Sequence, residues 1–62
     1  MLNEPLITVR EAAERLRVRE STVRSWIRAK ELRAIKFGRE WRITGPDLMR
    51  FLNERANVAA AE

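Results

Sequence analysis

The sequence predicts a mostly α-helical domain with one small β-hairpin, its elements in the order α-α-β-β-α, and three observations carry that expectation. Two short stretches with helical apolar spacing follow one another across a turn of about three residues. The spacing then switches to alternation on both sides of a glycine. A Thr-Gly-Pro-Asp run finally opens a third helical stripe.

Thr8 followed three residues later by Glu11 is a capping box, which starts the first helix at Val9. Val9, Ala12, Ala13 and Leu16 supply its apolar stripe, and Arg10, Glu11, Glu14 and Arg15 fill the other face, so the helix is expected to run to Leu16 or Arg17. Val18, alone between Arg17 and Arg19, is the buried residue of a short turn. Within Glu20 to Lys30, the residues Val23, Trp26 and Ile27 form a narrow apolar face, and Leu32 closes the segment just beyond it. The opposite arc holds Ser21, Arg24, Ser25 and Arg28. Ala13 provides the small side chain needed where two helices cross closely.

From Ala34 the pattern alternates, with Ile35 and Phe37 on one side and Lys36 on the other. Gly38, Arg39 and Glu40 make the turn, in which Gly38 takes positive φ, and Trp41, Arg42 and Ile43 repeat the alternation. Ile35, Phe37, Trp41 and Ile43 are thereby expected on the inner face of the hairpin, with Lys36 and Arg42 pointing out. In the last helix Pro46 suits the first turn, Asp47 suits the helix dipole, and Leu48, Phe51 and Leu52 face the core. Residues 1–62 are expected to make a single domain, with an ordered core over about 6–56 and an alanine-rich flexible tail over 57–62. Two helices, a hairpin and a closing helix in this order are a winged helix-turn-helix.

Composition narrows the chemistry. A chain of 62 residues buries only about 60% of its unfolded surface, enough for one core. Cysteine and histidine are both absent, which excludes thiolate or imidazole zinc sites, Ser-His and Cys-His nucleophiles, and histidine acid-base catalysis. Asp47 is the only aspartate, and the glutamates lie scattered through basic helical sequence as solvated ion-pair partners. The expectation is therefore a protein that is not an enzyme, with no catalytic residues, no metal, no cofactor and no small-molecule substrate. No apolar run approaches the roughly 20 residues of a membrane span, and the first residues, with Glu4 and Pro5, lack the pattern of a secretory leader, so a cytoplasmic, nucleoid-associated protein is expected.

The net charge is +4, and eleven of the thirteen basic residues are arginine. Guanidinium forks suit phosphate and the guanine edge, so an anionic partner is expected. Helix-turn-helix proteins place the start of their second helix against base edges, and here that stretch carries Ser21, Thr22, Arg24, Ser25 and Arg28, with Arg24 the candidate for a bidentate contact to guanine. Glu20 either accepts from a cytosine amino group or favours the helix N-terminus, and the second role is preferred. Lys36, Arg39 and Arg42 cluster around the hairpin turn as a wing on the sugar-phosphate backbone or the minor groove; a charged edge that blocks strand pairing between molecules is the alternative. Trp26 and Trp41 are assigned to the core, not to base stacking.

These residues also carry a family resemblance. Leu6-Ile7-Thr8-Val9-Arg10-Glu11-Ala12-Ala13-Glu14-Arg15-Leu16, Ser21-Thr22-Val23-Arg24-Ser25-Trp26-Ile27, Glu31-Leu32 and Phe37-Gly38-Arg39-Glu40-Trp41-Arg42-Ile43 resemble the excisionase family of DNA-binding domains, small relatives of the MerR-type winged helix. The resemblance implies double-stranded DNA as partner. Groove contacts would come from Ser21, Thr22, Arg24, Ser25 and Arg28, and wing contacts from Lys36, Arg39 and Arg42. It implies assistance to an integrase or recombinase during excision, with further copies of the chain assembling along DNA and bending it. A transcription regulator of the same fold uses the same contacts and stays open as an alternative. So does an interaction module for an acidic protein. The chain departs from the family at Arg19, where a serine or threonine cap is common, at Lys30, where glycine is common, and at Arg33, where proline is usual. These departures add positive charge beside the groove, Arg19 among the DNA contacts, and are expected to fray the second helix at its ends.

Overall fold

In the computed structural model, which describes residues 6–57, the chain forms β1 (Ile7–Thr8), α1 (Val9–Leu16), α2 (Glu20–Arg28), β2 (Ile35–Phe37), β3 (Glu40–Ile43) and α3 (Gly45–Arg55). The winged helix-turn-helix class stands, with one strand added at its start. β1 pairs antiparallel with β3, Ile7 opposite Ile43 and Thr8 opposite Arg42, so the wing is a three-stranded sheet in the order β1-β3-β2. Of the tail expected over 57–62, only Asn57 lies among the described residues, where it is exposed; 58–62 fall outside them.

α1 begins at its expected capping box: the Glu11 N–H donates to the Thr8 hydroxyl at 3.0 Å and the Thr8 N–H donates to Glu11 Oε1 at 2.9 Å. The hydrogen bond from the Thr8 N–H holds the Glu11 carboxyl below its ordinary pKa against a smaller opposing cost of desolvation. The Thr8 hydroxyl and the charges of Arg15 and Arg42 act in the same direction. α3 is capped in like manner, the Asp47 N–H donating to the Thr44 hydroxyl at 3.0 Å with Pro46 in the first turn.

Both helices of the helix-turn-helix end on a non-glycine residue in the left-handed region, Arg17 at φ 58° and Lys30 at φ 63°. After α1, Val18 N–H donates to the Ala13 carbonyl at 3.0 Å; after α2, Lys30 and Glu31 donate to Ile27 and Trp26, each at 3.0 Å. This pairing satisfies the Trp26 and Ile27 carbonyls near the end of α2. The C-terminal end of α2 is therefore closed, contrary to the fraying expected there. The N-terminal end does lack a side-chain cap, since Arg19 makes no capping hydrogen bond. A side chain at positive φ costs about 1–2 kcal/mol, and the exposed Lys30 takes up that conformation where glycine would do so without strain. Lys30→Gly is accordingly expected to stabilise the domain by roughly 0.5–1 kcal/mol after the entropy glycine adds to the unfolded chain. Thermal unfolding checks this: a melting temperature at or below that of the parent chain is the contrary result.

The core is built from Ile7 on β1, Val9, Ala12 and Ala13 on α1, Val23 and Ile27 on α2, Leu32, Ile43 on β3, and Leu48 and Phe51 on α3. Leu16, Val18, Trp26, Trp41 and Leu52 pack around it half-buried, as their spacing predicted. The Trp26 and Phe51 rings meet at 4.8 Å between centroids, tilted by 47°, and the Arg55 guanidinium lies over Phe51 at 4.1 Å while pairing with Glu31. α3 is thus fastened across the end of α2.

Asp47 is buried, an environment not foreseen for the helix-start acid. Arg33 Nη1 donates to its Oδ2 at 2.8 Å, so Arg33 spends its charge on the start of α3 and not beside the groove. Burial pushes the Asp47 carboxyl up, but the hydrogen bonds with Arg33 and Thr44 and the charges of Arg33 and Arg50 outweigh it, and the net shift is downward. A carboxyl whose native pKa is depressed adds stability above its ordinary value, about 3.9; that stability is lost as pH falls below this value and through the native one. Arg33→Ala removes part of the depression. Its acid-unfolding midpoint is expected at higher pH than the parent's, and a midpoint unchanged in an acid titration of circular dichroism would remove Arg33 from this role.

Candidate nucleic-acid interface

The hairpin has a tighter turn than its sequence suggested, and the difference reassigns its faces. Phe37 lies opposite Glu40, Lys36 opposite Trp41 and Ile35 opposite Arg42, which leaves a two-residue loop of Gly38 and Arg39. Gly38 has φ +60°, while Arg39 is not among the positive-φ residues, the pattern of a type II′ turn. A Cβ at Gly38 would meet nothing within 4 Å, so glycine is required there by conformation alone.

Directly opposed residues of an antiparallel pair share a face, and moving the register by one exchanges faces. The core side of the sheet therefore carries Ile7, Ile43, Trp41 and Lys36, and the other side carries Thr8, Arg42, Ile35, Glu40 and Phe37. The expected grouping of Ile35 and Phe37 with Trp41 and Ile43, and of Lys36 with Arg42, is corrected accordingly. Phe37 is 51% exposed. Lys36 Nζ sits 5.5 Å from the Trp41 ring centroid, on the side away from Arg42.

On α2 the residues Ser21, Arg24, Ser25 and Arg28 form an exposed arc; Thr22 is half-buried at its flank, and Arg19 is exposed just before the helix. Arg24 Nη2 donates to Glu20 Oε1 at 3.1 Å across one helical turn, with both side chains nearly half exposed. Glu20 thus has a partner on its own helix beyond the helix dipole. Arg42 is the least exposed of the wing cations, paired with Glu40 at 2.6 Å and donating to the Trp41 carbonyl at 3.4 Å. Arg39 makes no ion pair among the described residues.

A cleft of about 330 Å³ opens between three parts of the fold. The start of α1 contributes Thr8, Val9 and Arg10, the start of α2 contributes Glu20 and Arg24, and the hairpin contributes Arg39, Glu40, Trp41 and Arg42. Of the residues singled out from sequence, Arg24, Arg39 and Arg42 meet here. Ser21, Ser25 and Arg28 continue the exposed arc of α2 outside the cleft, and Arg19, Thr22 and Lys36 do not line it. Arg10 and Thr8 were missed as site residues. Their signal in the sequence is slight: the capping box located them at a helix start, but only the pairing of β1 with β3 carries that start to the wing. Four guanidinium groups against two carboxylates give the cleft a positive balance.

Two helices joined by a tight turn, backed by a basic hairpin across a shared cleft, define a helix-turn-helix protein with a wing. The chain belongs to the helix-turn-helix domain family, whose profile matches residues 6–56, and an excisionase-like DNA-binding domain is consistent with that membership. Its members are DNA-binding domains and are in general not enzymes. No curated protein and no solved structure matches the chain. Among the described residues no helix is long and apolar enough to cross a membrane, and no cluster of acidic, cysteine or histidine side chains is placed to hold a metal.

Proposed function

We propose that this domain binds double-stranded DNA at specific sequences, with the exposed arc of α2 in the major groove and the hairpin against the adjoining backbone or minor groove. Its role is that of an excisionase-type accessory factor, which acts beside an integrase and with further copies of itself on DNA, as the resemblance over residues 7–52 implies. The observation that supports the reading is the single cleft that collects Arg24 from α2 with Arg39 and Arg42 from the hairpin. An α-helix fits the major groove, and cations from a second element then meet the flanking phosphates.

In this reading Arg24 reads a base, and Ser21, Thr22, Ser25 and Arg28 contact bases or phosphates along the same groove. Arg19, Arg39, Arg42 and Arg10 hold the backbone, and Lys36 reaches it from the other face of the sheet. DNA binding also accounts for the expected association with the nucleoid.

Selection of bound sequences from a random duplex pool, followed by gel shifts over a range of salt, tests the proposal. Arg42→Ala is expected to weaken binding to every sequence and to flatten the slope of log affinity against log salt by about one unit. A chain that selects no sequence and shifts no duplex at low salt is not a DNA-binding domain of this kind, and capture of an acidic protein would then take its place.

A further inference from the structure

Phe37 is the one large apolar side chain of the sheet's outer face that lies open to solvent. The outer face borders the cleft: Thr8, Glu40 and Arg42 of that face line it together with Trp41 of the core side, and Phe37, outside the cleft, stands directly opposite Glu40. Phe37 is not among the side chains packed on the core, and Ile35 beside it is not either. Arg39, unpaired among the described residues, follows Phe37 by two positions across the type II′ turn. An exposed ring is therefore held at the loop end of a strand pair, opposite Glu40, with Arg39 in the adjoining loop and Arg42 further along the same face.

Apolar surface that shares a hairpin with cations suits a ligand that is anionic outside and apolar within. Stacked bases between phosphate backbones have that arrangement, and proteins that work from the minor groove insert Phe, Leu or Ile side chains at a base step and kink the duplex there. We infer that Phe37 is a DNA wedge, which enters the minor groove beside the major-groove site of α2 and opens one base step while Arg39 and Arg42 hold the flanking phosphates. The inference rests on the DNA-binding reading above. The short two-residue loop serves the same end, because a tight turn brings the ring to the tip of the hairpin where a narrow groove can admit it.

The experiment uses the whole chain and a selected duplex carrying 2-aminopurine at successive positions under the hairpin, with end-to-end energy transfer reporting the bend. The parent chain is expected to raise 2-aminopurine fluorescence at one step and to shorten the end-to-end distance. Phe37→Ala is expected to lose both signals and to bind roughly 5- to 150-fold more weakly, the range for removal of one base-stacking aromatic. Phe37→Leu is expected to keep the bend. Phe37 contributes no core packing, so the melting temperature of both variants stays at that of the parent. Binding and bending by Phe37→Ala equal to the parent's would overturn the wedge and leave the DNA reading standing. Failure of the parent to bind any duplex would remove both. Loss of concentration-dependent self-association in Phe37→Ala without DNA, its DNA bend unchanged, would assign the ring to a second copy of the chain and overturn the wedge.

Discussion

A Leu32→Ala variant is expected to lose about 2–5 kcal/mol of stability, the range for truncation of a fully buried leucine. Leu32 is 1% exposed and is among the largest fully buried side chains. Its surroundings are poorly able to collapse onto the space left behind. The Leu32 N–H is tied to the Trp26 carbonyl at 3.2 Å by the closing turn of α2, and Trp26 is itself held against Phe51. At roughly 0.05–0.15 kcal/mol per residue a domain of 62 residues holds about 3–9 kcal/mol in all, so the loss takes a large share of it. No cysteine is present to cross-link what remains. Urea titration of the variant checks this, and a loss under about 1 kcal/mol would mean that the core is not packed around Leu32. Truncation at the exposed Met49 provides the contrast, with a change expected within about 0.5 kcal/mol.

The parts of this fold that were legible in the sequence are those written in local chemistry. Thr8 with Glu11, and Thr44 with Pro46 and Asp47, announce the starts of α1 and α3 because capping is settled within four residues. The apolar spacing of Val23, Trp26 and Ile27 marks the inner side of α2 for a similar reason. The parts that were hidden depend on distant partners or on a single residue of register. β1 is two residues long, too short to show a period, and exists because Ile7 and Thr8 find the edge of β3. In the hairpin, a loop of three residues and a loop of two are equally compatible with the sequence around Gly38, yet the longer one puts Phe37 on the inner face with Trp41 and the shorter one puts it on the outer face with Arg42. Positive φ at Arg17 and Lys30 was hidden because neither is a residue that asks for it. The Arg33 pair with Asp47 spans fourteen positions, and no local pattern joins them. For the candidate site, the sequence supplied the arginines of α2 and the wing, while Arg10 waited on the tertiary placement of β1.

Arg24→Ala is expected to cost about 1–3 kcal/mol on a selected duplex, a loss of roughly 5- to 150-fold in affinity, and to relax preference at one base pair. Arg24 is the one arginine that α2 brings to the cleft, and its guanidinium is held by Glu20 one turn earlier on the same helix. That ion pair decides how the prediction discriminates. A guanidinium engaged by a carboxylate on a partly exposed helix face gains little from the pair, about 0.3–0.5 kcal/mol, but on the proposed reading a phosphate has to compete with Glu20 for it. Non-specific binding is therefore expected to be weakened by Glu20. A guanine edge in register with the helix is expected to give two hydrogen bonds in return and to outweigh the lost pair. Glu20→Gln, which removes the competing charge, is expected to raise affinity for scrambled duplexes more than for the selected one and to steepen the salt dependence, opposite to the effect of Arg24→Ala on specificity. Competition binding of both variants on selected and scrambled duplexes measures the two ratios. If Arg24→Ala lowers them equally, Arg24 is a phosphate contact, and sequence reading passes to the remainder of the exposed arc, Ser21, Ser25 and Arg28.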